Sequence, residues 1–209
     1  GGHGIVGAQV PIGTGIAFSH KYNDEKNICR TYIGDGAMNN GQVFEAFNLA
    51  SLWKLPVLYI IENNKYGMGT SVDRAAAGSE LYKRGEAFGI PGEKVDGMNI
   101  FKVIEAADKA GKYVREGNGP YIIEVQTYRY RGHSMSDPAK YRTKEELQNY
   151  KETDPIEIVK KEMLKKKFAN EKDIEKINKE IIDEIKNAAD YALNSQYPKD
   201  SELYTDVYI

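Results

Sequence analysis

Apolar and polar positions follow two rhythms along this chain. From Gln9, small and apolar residues run on to Ala17 and Phe18, consistent with a helix that Gly13, Gly15 and Ala17 allow to pack closely on a sheet. The polar turn Asn23-Asp24-Glu25-Lys26-Asn27 precedes a short apolar run, Ile28 to Ile33, which reads as a strand. Val43, Phe44, Ala46, Phe47, Ala50 and Trp53 then recur at helical spacing over Gln42 to Trp53, and Pro56 introduces a second strand, Val57 to Ile61, apolar throughout. An uninterrupted apolar strand suits a parallel sheet covered on both faces. Strand, helix and strand thus fit one right-handed crossover.

The alternation continues downstream. Arg74-Ala75-Ala76-Ala77-Gly78 and Tyr82-Lys83-Arg84-Gly85 read as a short connecting helix or loop, and Ile90-Pro91-Gly92 as a turn. Ile100, Val103, Ile104, Ala107, Ala110 and Val114 mark a helix with Asn99 as its N-cap, ended by Gly117-Asn118-Gly119-Pro120. Tyr121 to Tyr128 is β-branched and aromatic enough for a further strand. The expected fold class is α/β, a doubly wound, mainly parallel sheet with a helical C-terminal extension. After a polar loop from Arg129 to Thr143 the composition shifts: Lys144-Glu145-Glu146 opens a helix, Asp154-Pro155 another, and Ile174, Ile177, Ile181, Ile185, Ala188, Ala189 and Ala192 form an apolar stripe in a Lys/Glu-rich segment. The expected division is an α/β binding domain over 1-150 and a helical extension over 151-209, packed on that domain or on a partner subunit.

Composition narrows the function classes. The 209 residues are 41% hydrophobic and 29% charged with net charge -2, which gives no footprint for nucleic acid or for an anionic membrane. The longest apolar run, around Leu55 to Ile61, contains Pro56 and falls far short of the ~20 residues a bilayer needs. Cys29 is the single cysteine, inside an apolar run, and reads as a buried small hydrophobe in a reducing compartment. His3 and His20 lack ligand partners at zinc-like spacing and read as turn or surface residues. The chain opens at Gly1, without methionine and inside a glycine-rich segment, as a processed chain or part of a longer one does.

The candidate chemistry sits in two turns. Gly34-Asp35-Gly36 follows the first strand, and Glu62-Asn63-Asn64-Lys65-Tyr66-Gly67 follows the second. In a parallel βαβ unit both turns lie at the carboxyl ends of neighbouring strands, where open α/β sheets bind ligands. Asp35 and Asn64 would then face one small volume. A carboxylate, an amide carbonyl and a main-chain carbonyl are the hard oxygen donors that Mg²⁺ prefers. Gly34 and Gly36 let the backbone turn sharply and approach an anion closely, so the chemistry expected is a Mg²⁺-bridged diphosphate. The loop Arg129 to Thr143 adds His133 among Arg129, Arg131 and Arg142, a credible donor to a phosphate or an anionic 2-oxo acid.

Three blocks carry a resemblance to a known family. Gly-Asp-Gly-Ala-Met-Asn-Asn-Gly-Gln-Val-Phe-Glu-Ala over Gly34 to Ala46, Glu-Asn-Asn-Lys-Tyr-Gly-Met-Gly-Thr-Ser over Glu62 to Ser71, and Tyr-Arg-Gly-His-Ser-Met-Ser-Asp-Pro over Tyr130 to Pro138 resemble the α subunits of thiamin diphosphate-dependent 2-oxo acid dehydrogenase E1 components, of the pyruvate type. The resemblance extends over nearly the whole chain. It implies thiamin diphosphate and Mg²⁺ as cofactors, with Asp35, the Asn64 side chain and the Tyr66 carbonyl on the cation. It implies Gly34, Gly36 and Ala37 at the diphosphate, the Gly4 to Val6 turn at the aminopyrimidine ring, and His133 as the catalytic and diphosphate-facing residue. Asn39-Asn40 stands where Asn-Gln is usual. Ser134 matches the principal phosphorylation site of regulated members, but Lys140 replaces a second phosphoacceptor and the loop is one residue shorter. That pattern fits a bacterial, cytoplasmic enzyme better than one of the mitochondrial matrix or plastid.

The implied activity is oxidative decarboxylation of pyruvate with acetyl transfer to the lipoyl domain of E2. The implied assembly is an α₂β₂ heterotetramer in which a glutamate of the E1 β subunit activates the cofactor, so this chain alone would be silent. The family's upstream segment, which supplies an arginine and aromatic residues near diphosphate and substrate, is absent from the sequence. A branched-chain 2-oxo acid or acetoin dehydrogenase α subunit, and a noncatalytic scaffold fragment, remain as alternatives.

Overall fold

Helix α1 (Gln9–Tyr22) leads into β1 (Cys29–Gly34), α2 (Gly41–Leu52) and β2 (Val57–Asn63) in a computed structural model that describes residues 3–206. The Gly1-Gly2 start of the glycine-rich segment lies outside the described residues. The chain then makes a small antiparallel ribbon from β3 (Tyr66–Gly67) and β4 (Thr70–Ser71), a short α3 (Val72–Ala75) and a 3₁₀ segment, Leu81–Phe88. Next come β5 (Gly92–Asp96), α4 (Ile100–Arg115), β6 (Tyr121–Gln126), α5 (Lys144–Glu152), α6 (Pro155–Lys165) and α7 (Glu171–Asn194). The residues group into two compact units, one up to Ile158 and one from Val159 onward.

The first unit is built on a four-stranded sheet in the order β1-β2-β6-β5, every pair parallel. The two apolar faces of β2 explain its place inside the sheet. Val57, Tyr59 and Ile61 pack with Ile33, Met38, Phe47 and Ile122 on one side, while Leu58 packs with Ala106, Ala110, Val114 and Ile123 on the other. Helices therefore cover both faces, as a doubly wound sheet requires. At Gly13 a Cβ would lie 1.9 Å from Thr31 Oγ1, so α1 approaches β1 only because that position is bare. Gly15 meets nothing comparable. Cys29 is buried in this core as a free thiol.

Two differences from the sequence reading concern the third layer of the alternation. Gly92–Asp96, where the sequence reading has only the end of the Ile90-Pro91-Gly92 turn and no strand, is the sheet's edge strand β5. Its segment Gly-Glu-Lys-Val-Asp buries Val95 alone, so no apolar rhythm announces it. On α4 the buried positions are Ala106, Ala110, Gly111 and Val114, while Ile100 and Ile104 of the expected stripe are exposed. The N-cap is as read: Asn99 Oδ1 accepts from the amides of Phe101 at 3.1 Å and Lys102 at 3.3 Å.

In the second unit, α7 opens with a reciprocal cap, Asn170 Oδ1 accepting from the Asp173 amide and Asp173 Oδ2 from the Asn170 amide. Its stripe of Ile177, Ile181 and Ile185 is exposed. No helix among the described residues is long and apolar enough to cross a membrane.

Candidate functional site

The register of the sheet brings the two turns together. Gly34 pairs with Glu62 across β1 and β2, so Asp35 and Asn64 leave adjacent parallel strands at the same edge. The turns touch at their glycines: a Cβ on either Gly36 or Gly67 would lie 3.2 Å from the other's Cα. Side chains at those positions would force the turns apart.

Asp35 is buried, 3% exposed, at the end of β1. Burial pushes its carboxyl pKa up, while its own main-chain amide, the Asn64 amide and the nearby Arg129 and Lys65 charges pull the other way. The net shift is upward, so the positive charge around this carboxylate does not offset its desolvation. Asn64 is half-buried, and its Oδ1 accepts from the Tyr66 amide at 3.3 Å. Two non-glycine residues of this turn, Lys65 (φ 76) and Met68 (φ 54), adopt left-handed backbone. Such conformations persist where surrounding contacts over-determine them.

The residues present suit a divalent cation. A buried carboxylate short of compensating charge on one turn, with the Asn64 amide oxygen and the Tyr66 carbonyl on the adjoining turn, supplies the hard oxygen types that Mg²⁺ takes. Gly36 and Ala37 open the 3₁₀ turn Ala37–Asn39, and Asn40 caps α2 by accepting from the Gln42 amide at 3.3 Å. First-turn amides have no intrahelical acceptor and favour an anion. The Gly4 to Val6 turn belongs to the same neighbourhood, because the Val6 carbonyl accepts from Asn40 Nδ2 at 3.0 Å and Gln42 Nε2 at 3.1 Å. Ile5 and the Val6 side chain are exposed there.

The Tyr66 carbonyl has an unexpected neighbour. Arg129 Nη1 donates to it at 3.0 Å, while Nη2 donates to the Met68 carbonyl at 2.7 Å and the Tyr141 hydroxyl at 2.9 Å. A carbonyl oxygen offers two lone pairs, so one remains for a cation. Arg129 thereby ties the loop of residues 129–143 to the Asn64 turn. The Tyr66 and Tyr128 hydroxyls both donate to Glu146 Oε1 at 3.0 Å, and Tyr128 stacks on Tyr150 at 4.0 Å. Burial and the Glu146 carboxylate push the Tyr128 phenol up to about 12.

His133 is exposed, and its main-chain amide donates to Asp137 Oδ2 at 2.7 Å. Among the described residues no hydrogen bond joins its ring to the paired turns. Asp137 organises the loop instead, also accepting from the Ala139 amide at 2.8 Å and the Tyr141 hydroxyl at 2.7 Å. Those donors hold its carboxyl down at about 2. Ser134 is exposed, with Oγ 3.1 Å from Ser136 Oγ. Sequence reasoning missed the part of Arg129, Asp137, Tyr141 and Glu146 in holding this loop, because hydroxyls and charges in a polar loop look alike until their partners are placed. It also missed a buried polar group, Asn63 with Glu124. The signal for that one was legible, a glutamate inside the otherwise apolar run Tyr121 to Val125.

Sheet topology defines an α/β domain of the doubly wound class whose two glycine-bearing turns meet at the carboxyl edge of its strands. The model of the family described as dehydrogenase E1 component matches residues 1–201. This chain belongs to that family. It is 58% identical over 208 residues to the pyruvate dehydrogenase E1 component subunit alpha of Rickettsia felis, covering 100% of this chain and 64% of the relative. The subunit of the same name from Rhizobium meliloti is 55% identical, over 99% of this chain and 60% of the relative. A relative named as the mitochondrial subunit alpha from Dictyostelium discoideum is 52% identical, over 100% of this chain and 55% of the relative. The chain thus spans less than two thirds of the length of these curated relatives.

Proposed function

We propose that this chain is the larger part of a pyruvate dehydrogenase E1 α subunit that binds thiamin diphosphate through Mg²⁺ and acts with an E1 β subunit in an α₂β₂ assembly. The observation that carries the reading is the meeting of the Gly34-Asp35-Gly36 and Asn64-Tyr66 turns at the carboxyl edge of the sheet, in a chain 55–58% identical to bacterial relatives of that name. Asp35, the Asn64 amide oxygen and the Tyr66 carbonyl would hold the cation. Gly36 and Ala37 would present main-chain amides to the diphosphate, with Gly34 shaping the turn. The Gly4 to Val6 turn would meet the aminopyrimidine ring through main-chain groups.

The chemistry thiamin diphosphate supplies when bound is nucleophilic addition to the 2-oxo group, loss of carbon dioxide and passage of the acetyl group to the lipoyl domain of E2. The residues of this chain bind and orient. Gly36 and Gly67 allow the turns to close, Asp35 contributes the charge that holds the cation, and the Arg129 to Thr143 loop borders the site with His133 as a donor to the diphosphate or the substrate carboxylate. Arg129 fixes the main chain of the Asn64 turn, so the donors are placed before the ligand arrives.

Calorimetric titration of thiamin diphosphate with Mg²⁺ tests the reading. Heat and a thermal shift in the wild type, both lost in Asp35→Asn, are expected. Their absence with and without β subunit would leave a scaffold role. Decarboxylation rates with the partner present, for pyruvate against branched-chain 2-oxo acids, and a separate carbon–carbon cleavage assay for acetoin decide the substrate, with pyruvate expected to be fastest.

A further inference from the structure

Glu124 lies in the middle of the sheet, 0% exposed, and with Asp35 it is one of two buried acidic side chains among the described residues. A carboxylate there costs more than an apolar residue would, unless donors satisfy it. Three donors converge on it: Asn63 Nδ2 at 2.7 Å, Gln126 Nε2, and the Tyr82 amide at 3.1 Å.

Each line of contact ends at one of the two turns. Through Asn63, Glu124 sets the amide so that Asn63 Oδ1 accepts from the Lys65 amide at 3.2 Å, the residue in left-handed backbone. The Lys65 ammonium in turn bonds Gln126 Oε1, and the Thr127 amide donates to the Asn63 carbonyl at 2.9 Å. Asn64 is therefore clamped between two anchored neighbours. Through Tyr82, Glu124 holds the 3₁₀ segment Leu81–Phe88, whose Arg84 donates to the Met38 carbonyl at 2.8 Å and to Asn39 Oδ1 at 2.9 Å, the stretch just after Asp35.

We propose that Glu124 is a positioning residue for the cation site, which fixes the Asp35 and Asn64 turns against each other through Asn63 and the Tyr82-Arg84 segment. The inference rests on the reading of Asp35 and Asn64 as cation donors. Groups behind the ligands of a metal act by orienting them, and their removal typically weakens metal affinity ten- to hundred-fold.

The test is calorimetric titration of Mg²⁺ into the metal-stripped full-length protein at saturating thiamin diphosphate, with melting of the ligand-free protein recorded alongside. Glu124→Gln turns one acceptor into a donor facing a donor. It is expected to raise the Mg²⁺ dissociation constant by about tenfold or more. The double variant Asn63→Asp with Glu124→Gln restores a donor–acceptor pair between these two positions and keeps one negative charge, but leaves Gln126 Nε2 facing the new amide, so it should recover part of the affinity. An unchanged constant in Glu124→Gln, or a double variant no better than the single one, overturns the proposal. Should Glu124→Gln fail to fold, Asn63→Ser cuts the same link at the turn, and an unchanged Mg²⁺ constant there overturns it equally. Asp35→Asn separates the two failures: loss of Mg²⁺ binding there with none in Glu124→Gln refutes the positioning role and keeps the site, whereas retained binding refutes the site itself.

Discussion

Asp35 faces two opposed demands. Its burial penalises the charged form, yet the charge is what a cation would need. Asp35→Asn removes the penalty and the ligand together. The ligand-free variant is expected to melt at or above the wild-type temperature, while the stabilisation by thiamin diphosphate and Mg²⁺ disappears, about 2.7 kcal/mol at a hundredfold excess over Kd. Paired thermal scans measure both. Gly36 makes the complementary point about space. Its φ of -64 is open to any residue, but an added Cβ would press on the Gly67 backbone at 3.2 Å. Gly36→Ala should therefore lose about 1–3 kcal/mol by overpacking, read from urea unfolding, and weaken cofactor binding because the turns move apart.

Among the elements, the loop between β6 and α5 has the most specific chemistry. The Asp137 carboxyl is held at about 2 by the His133 amide, the Tyr141 hydroxyl and the Ala139 amide. A depressed carboxyl stabilises the loop above its ordinary range near about 4, and that stabilisation is lost as pH falls toward 2. Hydrogen exchange of the His133 and Ala139 amides should accelerate over that window relative to a pH-corrected control amide in β2, and Asp137→Ala should show the fast rate already at neutral pH. Helix α4 gives a simpler case. Asn99→Ala removes the acceptor for two first-turn amides and is expected to cost about 1 kcal/mol in chemical denaturation, with no effect on cofactor binding.

At the scale of the whole molecule, the proposed division of labour predicts that this chain, purified without a β partner, does not turn over pyruvate, and that a steady-state decarboxylation assay detects activity only when the partner is added. Turnover by the lone chain would refute it. Much of the architecture was legible beforehand because burial on both faces of a parallel sheet writes an unbroken apolar run, as at Val57 to Ile61, and because glycine marks turns such as Gly34 to Gly36. The edge strand Gly92–Asp96 was not, since a strand with one buried side chain leaves no rhythm to read. Asp35 and Asn64 could be paired on paper, because parallel register carries both turns to one edge. The distant partners of Arg129 and Glu124 could not, because hydrogen bonds across tens of residues depend on distances that only packing sets. The nearby partners of Asp137 could not either, because a polar loop has no rhythm to say which donor turns inward. Sequence alone determined the fold class, the family and the place of the two turns at Asp35 and Asn64, through local periodicity and turn chemistry. The tertiary structure decided that Arg129 grips the Tyr66 carbonyl and that a buried glutamate stands behind both turns, since such contacts exist only once the sheet has closed.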